Sequence, residues 1–305
     1  MPTLRQLEYL VVLADTLHFR RAAERVNTTQ STLSAQLKAL EDRLGVQLVE
    51  RTQSPVMITA VGDEVVAIGR RMLTDAREIR ELAKRRSGKL SGVLRVGIPP
   101  TIGPSLLPRI IPKLHTEYPQ LKLFVREELP ASLPIGLEQG SYDVIISPLP
   151  VMNNAISVTP LFDEPLLLVL SALHPLALKK EIAWNDLKDL DVLALGSGHQ
   201  CHDLVQTLCQ ESGARMLFNY EGSSLDMLRE MVSTDLGCTF MPGLYVRARV
   251  EHDASLVIRN IKDHRISRTV SIAWRKSTPH VRQLERLTKI IQTEINAALA
   301  NLGCA

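Results

Sequence analysis

The sequence predicts an α/β protein in which a small helical region and one long helix precede a larger region of alternating strands and helices. Up to about residue 86 the apolar residues recur at helical spacing, as Leu33, Leu37, Leu40 and Leu44 do. From Val93 onwards short β-branched runs alternate with helical stretches, a pattern typical of α/β domains rich in parallel strands. The 305 residues are enough for two or three domains.

Three helices and a hairpin are predicted in the first 60 residues. The helices cover residues 4–14, 18–26 and 29–44, and Gly45 ends the third because glycine readily adopts a left-handed cap. Residues 46–52 and 56–59 flank the turn at 53–55 and predict a small hairpin that follows the third helix as a wing.

The third predicted helix has a leucine side and a polar side. On the polar side Ser31, Ser34 and Lys38 could form hydrogen bonds with base edges and phosphates in a DNA major groove. The net charge of +3 is too small for a general basic field, so the pattern of side chains, not the charge, predicts DNA binding. The alternative is a helical hairpin that binds protein.

A long helix is predicted over residues 59–86. Its apolar stripe comprises Val61, Val65, Ile68, Met72, Ile79 and Leu82. A lone helix of this length has no core of its own, so the stripe predicts pairing with a second copy. The polar segment 85–92 contains two glycines and is the predicted hinge.

The remaining chain predicts strands near 93–98, 121–126, 142–147, 166–170, 192–195, 238–241 and 270–274, with helices at 105–118, 201–213 and 225–233. Ligands of such sheets bind where strands end. Thr101 follows the first strand and is a candidate for an anion or small polar ligand, or for helix capping. Ser147 ends a strand, and Ser223 and Ser224 precede a helix, with capping as their alternative role.

A second group of candidates is His199, Cys201, His202, Asp203 and Cys209. A helix start and nearby imidazoles favour a reactive thiolate at Cys201, and oxidation of two thiols gives a disulfide. Eight residues of helix separate Cys201 from Cys209 by about 12 Å, so a disulfide would require local unfolding. The alternative is that Cys209 is a core thiol; Cys238 is expected in the core, and Cys304 is incidental.

Several classes of protein are disfavoured. No apolar run is long enough for a membrane span and residues 1–8 do not form a signal peptide, which predicts a cytoplasmic protein. The sequence lacks a nucleophile elbow, a phosphate loop and metal-ligand spacing, so we expect no enzyme, no cofactor and no metal. The missing export signal argues against a transport-type binding protein.

Separate blocks of the chain resemble the LysR-type transcriptional regulators. They are Ala22-Ala-Glu-Arg-Val26, Gln30-Ser-Thr-Leu-Ser34, residues 40–51 and Ile58-Thr-Ala-Val-Gly62. The resemblance implies a winged helix-turn-helix DNA-binding domain at 1–58 and a linker helix and hinge at 59–91. It also implies an effector domain at 92–305, like periplasmic binding proteins, with lobe I at 92–165 and 267–305, lobe II at 166–266 and a pocket between them. The implied DNA-binding residues are Gln30, Ser31, Thr32, Ser34, Lys38 and Arg51.

Within that family the chain is most similar to the peroxide-sensing OxyR branch, through residues 101–115, 160–165 and Gly198-His199. The implied effector-binding residues are Thr101, Ser147, His199, Gln200 and Ser223, and the implied redox residues are Cys201 and Cys209. Gln200 stands where the family has its reactive cysteine, Cys209 where it has the resolving one, and Pro130 where it has a pocket threonine. A one-residue shift on a helix rotates a side chain by about 100°. We therefore expect Cys201 to point away from the pocket of Thr101 and to react slowly with peroxide.

The resemblance also implies partners. They are two-fold symmetric double-stranded promoter DNA, a second copy through the linker helix, further pairing into a homotetramer, a small-molecule effector or oxidant, and RNA polymerase. The other function considered is a small-molecule, possibly anionic-metabolite, binding protein of the periplasmic-binding-protein type without redox sensing.

Overall fold

The computed structural model describes residues 1–50, 56–84, 91–151 and 153–299. It divides the chain into two compact units. The helical unit is Met1–Gly88 with Glu138–Ser141, and the α/β unit is Lys89–Leu137 with Tyr142–Ala305. Among the described residues, no helix combines the length and the apolar character that a membrane crossing requires.

The helical unit begins with three short helices, a two-stranded hairpin and one long helix. They are α1 (Leu4–Thr16), α2 (Phe19–Arg25), α3 (Gln30–Leu44), β1 (Val49–Glu50), β2 (Met57–Ile58) and α4 (Ala60–Lys84). Gly45 ends α3 with a φ of 70°, as predicted. The antiparallel pair of β1 and β2 confirms the hairpin, whereas its turn and Arg51 lie outside the described residues.

Helix α4 is apolar on two sides. Val66 is buried in the core that α1 and α3 share, and the backbone of Gly69 lies close to Leu7 of α1. The other side is solvent-exposed, and it carries Val61, Ile68, Met72 and Ile79. Val65 of the predicted stripe packs against the core instead. On α3, Leu44 is also exposed, so the buried leucines end at Leu40. The structure does not describe the side chain of Leu82 or the predicted hinge up to residue 90.

The described residues of the α/β unit form nine strands. They are β3 (Gly92–Ile98), β4 (Leu121–Glu127), β5 (Val144–Pro148), β6 (Ile156–Ser171), β7 (Asp191–Leu195), β8 (Arg215–Gly222), β9 (Thr239–Pro242), β10 (Leu256–Arg259) and β11 (Ser267–Arg275). Its helices of seven residues or more are α5 (Gly103–Glu117), α6 (Ser132–Glu138), α7 (Gln200–Ser212), α8 (Leu225–Ser233) and, after the short α9 (Gly243–Tyr245), α10 (Val281–Leu299).

Seven of these strands form one mixed sheet in the order β10-β6-β11-β5-β3-β4, with β9 also on β6. Only the pairs of β3 with β4 and β5 are parallel there, because β6 and β11 join their neighbours antiparallel. The expectation of a sheet dominated by parallel strands was therefore wrong for this sheet. A separate pair, β7 and β8, is parallel.

The interior of this unit comprises separate apolar cores. One lies between the large sheet and helices α5 and α10. Two others flank α7, and they are distinguished by the cysteine of α7 that each contains: Cys201 in one and Cys209 in the other. Helix α7 therefore begins in one core and ends in another.

Candidate functional site

A buried cluster of four polar side chains is centred on the guanidinium of Arg268. Its Nε and Nη2 both donate to Oε2 of Glu164, at 2.9 and 2.8 Å. Nη1 donates to Oγ1 of Thr101 and to Sγ of Cys201, both at 3.1 Å, and Nη2 also donates to the carbonyl oxygen of Thr101 at 3.1 Å. An arginine has five N–H groups, so every donor of Arg268 has a partner in this cluster.

The fold brings these residues together from four segments. Arg268 on β11 and Glu164 on β6 are directly opposite in the antiparallel register. Thr101 lies between the end of β3 and the start of α5, where Ile102, not Thr101, occupies the cap position. Cys201 is the second residue of α7. All four are buried, with exposed fractions of 1 to 6%. The second oxygen of Glu164 accepts from the backbone N–H of Leu244 at 3.0 Å.

The structure contradicts the expectation that Cys201 points away from the pocket of Thr101. The thiol of Cys201 and the hydroxyl of Thr101 accept from the same nitrogen of Arg268. The expectation assumed that position 200 faces this pocket. Instead, the side chain of Gln200 turns towards the loop after β5, where Nε2 donates to the carbonyl oxygen of Leu149 at 2.5 Å. The same rotation of about 100° then directs Cys201 towards the cluster.

The electrostatics of Cys201 oppose ionisation. Burial raises the pKa of the Cys201 thiol, Arg268 lowers it and Glu164 raises it. Burial is the largest of these influences. The thiolate is the nucleophilic form, so in this state Cys201 is held as a weakly reactive thiol.

Two buried atoms beside Cys201 have no hydrogen-bond partner among the described residues, Nδ1 of His199 and Oε1 of Gln200. The amide of Gln200 cannot be flipped, because its nitrogen must face the Leu149 carbonyl. Burial, with a smaller contribution from His202, lowers the pKa of His199, which keeps the ring neutral at pH 7. Oε1 of Gln200 is therefore left as an acceptor for a donor from outside the described residues.

Cys209 and Cys238 lie in one apolar core, away from the Arg268 cluster. Cys209 is buried with Val205 and Leu208, as its alternative role predicted, and burial raises its pKa to about 11. Cys238 belongs to the same core, and burial raises its pKa even further. Cys201 and Cys209 do lie on one helix, which leaves a disulfide between them dependent on unwinding α7.

The three candidate serines have different surroundings. Ser147 is buried, and its carbonyl oxygen accepts from the hydroxyl of Ser271. Ser223 is exposed and its hydroxyl contacts the sulfur of Met227. Ser224 caps α8 by accepting from the N–H of Met227 at 3.2 Å, in agreement with the alternative that the sequence offered. The structure does not join these serines to the Arg268 cluster by any hydrogen bond between described residues.

The start of α3 is the second candidate site. Thr29 caps this helix, and its hydroxyl accepts from the N–H of Thr32 at 3.2 Å. Gln30, Ser31, Thr32 and Lys38 are exposed and Ser34 is half-buried. The helix start thus presents amide and hydroxyl groups on a surface while Leu33 and Leu37 anchor the opposite side in the core.

Sequence reasoning missed Glu164 and Arg268. They are 104 residues apart in the chain. Glu164 lies within block 160–165, and Arg268 lies two positions before the predicted strand 270–274. A charge beside a predicted buried strand is the weak signal that the sequence offers for Arg268, since a buried charge requires a partner.

Comparison with known proteins gives consistent matches along the chain. The family model for the bacterial regulatory helix-turn-helix protein, lysR family, matches residues 4–63. The model for the LysR substrate binding domain matches residues 87–296. The DNA-binding transcriptional dual regulator OxyR of Escherichia coli K12 is 36% identical over 293 residues, which are 96% of each chain.

Two solved structures have similar folds over nearly the whole chain. One is a full-length OxyR from Pseudomonas aeruginosa with a cysteine-to-aspartate substitution. It has a TM-score of 0.79 at 39% identity and covers 95% of this chain and 94% of its own. The other is a peroxide-bound OxyR cysteine variant from Corynebacterium glutamicum. It has a TM-score of 0.66 at 32% identity and covers 98% of this chain and 96% of its own.

Proposed function

The chain belongs to the LysR family of DNA-binding transcriptional regulators and is OxyR-like, and from that premise we propose that oxidation of Cys201 switches it. The observation that supports this most is the contact of Nη1 of Arg268 with Sγ of Cys201 at 3.1 Å. Cys201 thereby takes the place of the reactive cysteine, although the sequence has Gln200 at the position expected for it.

The chemical step is the oxidation of a thiol by a hydroperoxide. The thiolate sulfur attacks one peroxide oxygen, a sulfur–oxygen bond forms and the oxygen–oxygen bond breaks. The thiol gives up its proton before the attack, and the leaving hydroxide takes up a proton to become water. The sulfur is oxidised to a sulfenic acid and the peroxide is reduced.

The product would disturb the cluster because all five N–H groups of Arg268 already have partners. A sulfenic oxygen adds an acceptor and volume where the exposed fraction of Cys201 is 3%. Overpacking of this kind in a close-packed interior costs about 1–3 kcal/mol. We therefore infer that oxidation displaces the first turn of α7. After α7 unwinds, the sulfur of Cys209 attacks the sulfenic sulfur, a disulfide forms, the sulfur–oxygen bond breaks, and the hydroxyl leaves as water with the proton of the Cys209 thiol.

A second candidate signal is a small effector molecule, supported by the unpartnered atoms of His199 and Gln200. Such an effector must donate a hydrogen bond to Oε1 of Gln200, which disfavours a fully ionised anion there. Thr101, Ser147 and Ser223 are further effector-binding candidates. Ligand binding of this kind would persist in Cys201→Ser and be lost in Gln200→Ala.

The helical unit is the part of the protein that we assign to DNA binding and to pairing between copies. We assign DNA contacts to Gln30, Ser31, Thr32, Ser34 and Lys38 on α3 and to Arg51 on the wing. The exposed stripe of α4 joins two copies, and further pairing of effector domains gives a tetramer. The proposed domains are the DNA-binding domain at 1–58, the linker helix and hinge at 59–91, and the effector domain at 92–305. Within the effector domain, lobe I is 92–165 with 267–305 and lobe II is 166–266. The protein would act on RNA polymerase at promoters and not as an enzyme.

The test is peroxide consumption by the reduced protein in a rapid-mixing instrument, with Cys201→Ser as the control. We expect consumption that depends on Cys201 and is slower than that of the same thiol in the urea-denatured chain, because the native thiol is buried and protonated. A Cys201-dependent phase faster than the denatured chain would show an activated sensor instead. The proposal that thiol oxidation switches the protein is wrong if Cys201→Ser consumes peroxide at the native rate and peroxide leaves promoter binding unchanged.

A further inference from the structure

The Arg268 cluster is electrically balanced without Cys201. It holds one guanidinium, which stays charged at any relevant pH, and one carboxylate, which accepts two hydrogen bonds from it. Thr101 contributes a neutral hydroxyl and a carbonyl oxygen. The side chains of Arg268 and Glu164 are each only 1% exposed, so water screens their pairing little.

A thiolate at Cys201 would be a second buried anion facing one cation. Its formation therefore depends on whether the carboxylate is present, and not on the proximity of Arg268 alone. Among the described groups, Arg268 and Glu164 are the two whose charges act on this thiol. Tyr245 lies in the same apolar core, but its hydroxyl is bonded to Asp226 at 2.7 Å, and burial raises its pKa. On the thiol's own helix start, His199 is neutral.

We propose that Glu164 is a positioning residue that holds Cys201 in its protonated, slowly reacting form by compensating the charge of Arg268. Glu164 does not touch the sulfur. It acts through the guanidinium, whose Nε and Nη2 it occupies while Nη1 remains on the sulfur. The residue that limits the reactivity of this thiol then lies on strand β6, 37 positions earlier in the chain than Cys201 on α7.

The inference deepens the proposed function, since it concerns the same thiol, but its test needs no peroxide. Alkylation by iodoacetamide requires the thiolate, whose sulfur displaces iodide from carbon. The site of modification and its rate are read by mass spectrometry of the full chain across pH 6–10. A failure of peroxide switching therefore leaves this measurement intact.

The decisive variant is Glu164→Gln, which removes the charge and keeps the shape. With the carboxylate gone, the thiolate becomes the nearest counter-ion of Arg268. We expect alkylation of Cys201 at pH 7 to accelerate about tenfold. This is the increase in the thiolate fraction when the midpoint of the rate profile falls by about one pH unit. The midpoint should move to lower pH. Glu164→Asp keeps the charge and should restore the slow rate, and Glu181→Gln, which removes a charge from an exposed pair with Lys262, should change nothing.

Loosening of the fold would also expose thiols, so Cys209 and Cys238 serve as internal controls. A charge effect accelerates Cys201 alone, whereas a structural effect accelerates all three buried thiols without moving the midpoint. If Glu164→Gln fails to fold, Glu164→Met supplies a neutral side chain of similar volume for the same measurement. The double variant Glu164→Gln with Arg268→Gln contains no charge in the cluster and should be no faster than the native chain.

The proposal is overturned if a folded neutral variant alkylates Cys201 at the native rate, or if Glu164→Asp is as fast as Glu164→Gln. It is also overturned if neither neutral variant keeps Cys209 and Cys238 protected, because Glu164 would then be a folding residue.

Discussion

Helices α3 and α7 begin in opposite environments. At the start of α3 the cap hydroxyl of Thr29 accepts a backbone N–H, and the side chains that follow it are exposed. At the start of α7 the cap residue His199 makes no such bond, although His18 caps α2 through its ring nitrogen Nδ1. Cys201 is buried against a guanidinium. A substitution at the exposed helix start leaves the core unchanged, whereas one at the start of α7 alters a buried hydrogen-bonded cluster.

The largest effect should come from a charge on the polar side of α3, at the half-buried Ser34. We expect Ser34→Glu to weaken specific DNA binding at least about 100-fold, because a carboxylate would face phosphate or an acceptor on a base edge. Ser132→Glu adds the same charge to an exposed residue of the other unit and should leave affinity unchanged. The measurement is a gel-shift titration at physiological salt. If Ser34→Glu binds DNA with native affinity, the assignment of α3 to the DNA major groove is wrong.

The exposed stripe of α4 offers the next largest change. Glutamates at Ile68 and Met72 should separate the linker pair, since each is close to half exposed in one chain and would be buried in a dimer. We expect the mass by light scattering to fall by half and binding to a two-half-site promoter to weaken. An unchanged mass with both half-sites occupied would show that this stripe packs elsewhere.

The burial of Cys209 at the end of α7 should make the stability of the fold depend on pH in alkaline solution. Burial raises the pKa of Cys209 to about 11, so unfolded chains lose this proton at lower pH than folded ones. The contribution of Cys209 to the free energy of unfolding is therefore complete below about pH 8.5. It falls as the pH rises towards the pKa of the folded state, by up to about 1.4 kcal/mol per pH unit. Urea titrations from pH 8 to 10 measure it. Cys209→Ser should reduce that slope without abolishing it, because burial also raises the pKa values of Cys201 and Cys238. It should leave DNA binding by the reduced protein intact. An equal slope in both proteins would contradict this assignment.

The helices of the helical unit were predictable because their signals are local. The leucines of α3, the glycine that ends it and the hydroxyls that cap it lie within one stretch of sequence. Helix α4 and the strands β3, β4 and β7 followed from apolar spacing in the same way. Strands β8 and β10 and helices α6 and α10 were not predicted. Only the second half of β6 was, since Pro160 and Pro165 interrupt that strand in the sequence but not in the structure.

The Arg268 cluster could not be predicted because nothing local specifies it. Its hydrogen bonds join residues 67, 104 and 167 positions apart. Thr101 was identified from its place after a strand, but the partner that holds its hydroxyl was not. The orientation of Cys201 was predicted wrongly for a related reason: the periodicity of a helix gives the angle between positions 200 and 201, but not which of the two faces inwards.

The saturation of Arg268 carries an evolutionary consequence. A guanidinium with five engaged N–H groups has no spare donor, so the loss of one partner strands another buried polar group, at a cost of several kcal/mol for a charge. Substitutions at Glu164 and Arg268 should then be tolerated together and selected against singly, and descendants should inherit the pair as a unit. Relatives that replace the glutamate with a neutral residue would, on this view, also lack the arginine or carry an acidic group at position 201. A set of homologues in which the two positions vary independently would refute it.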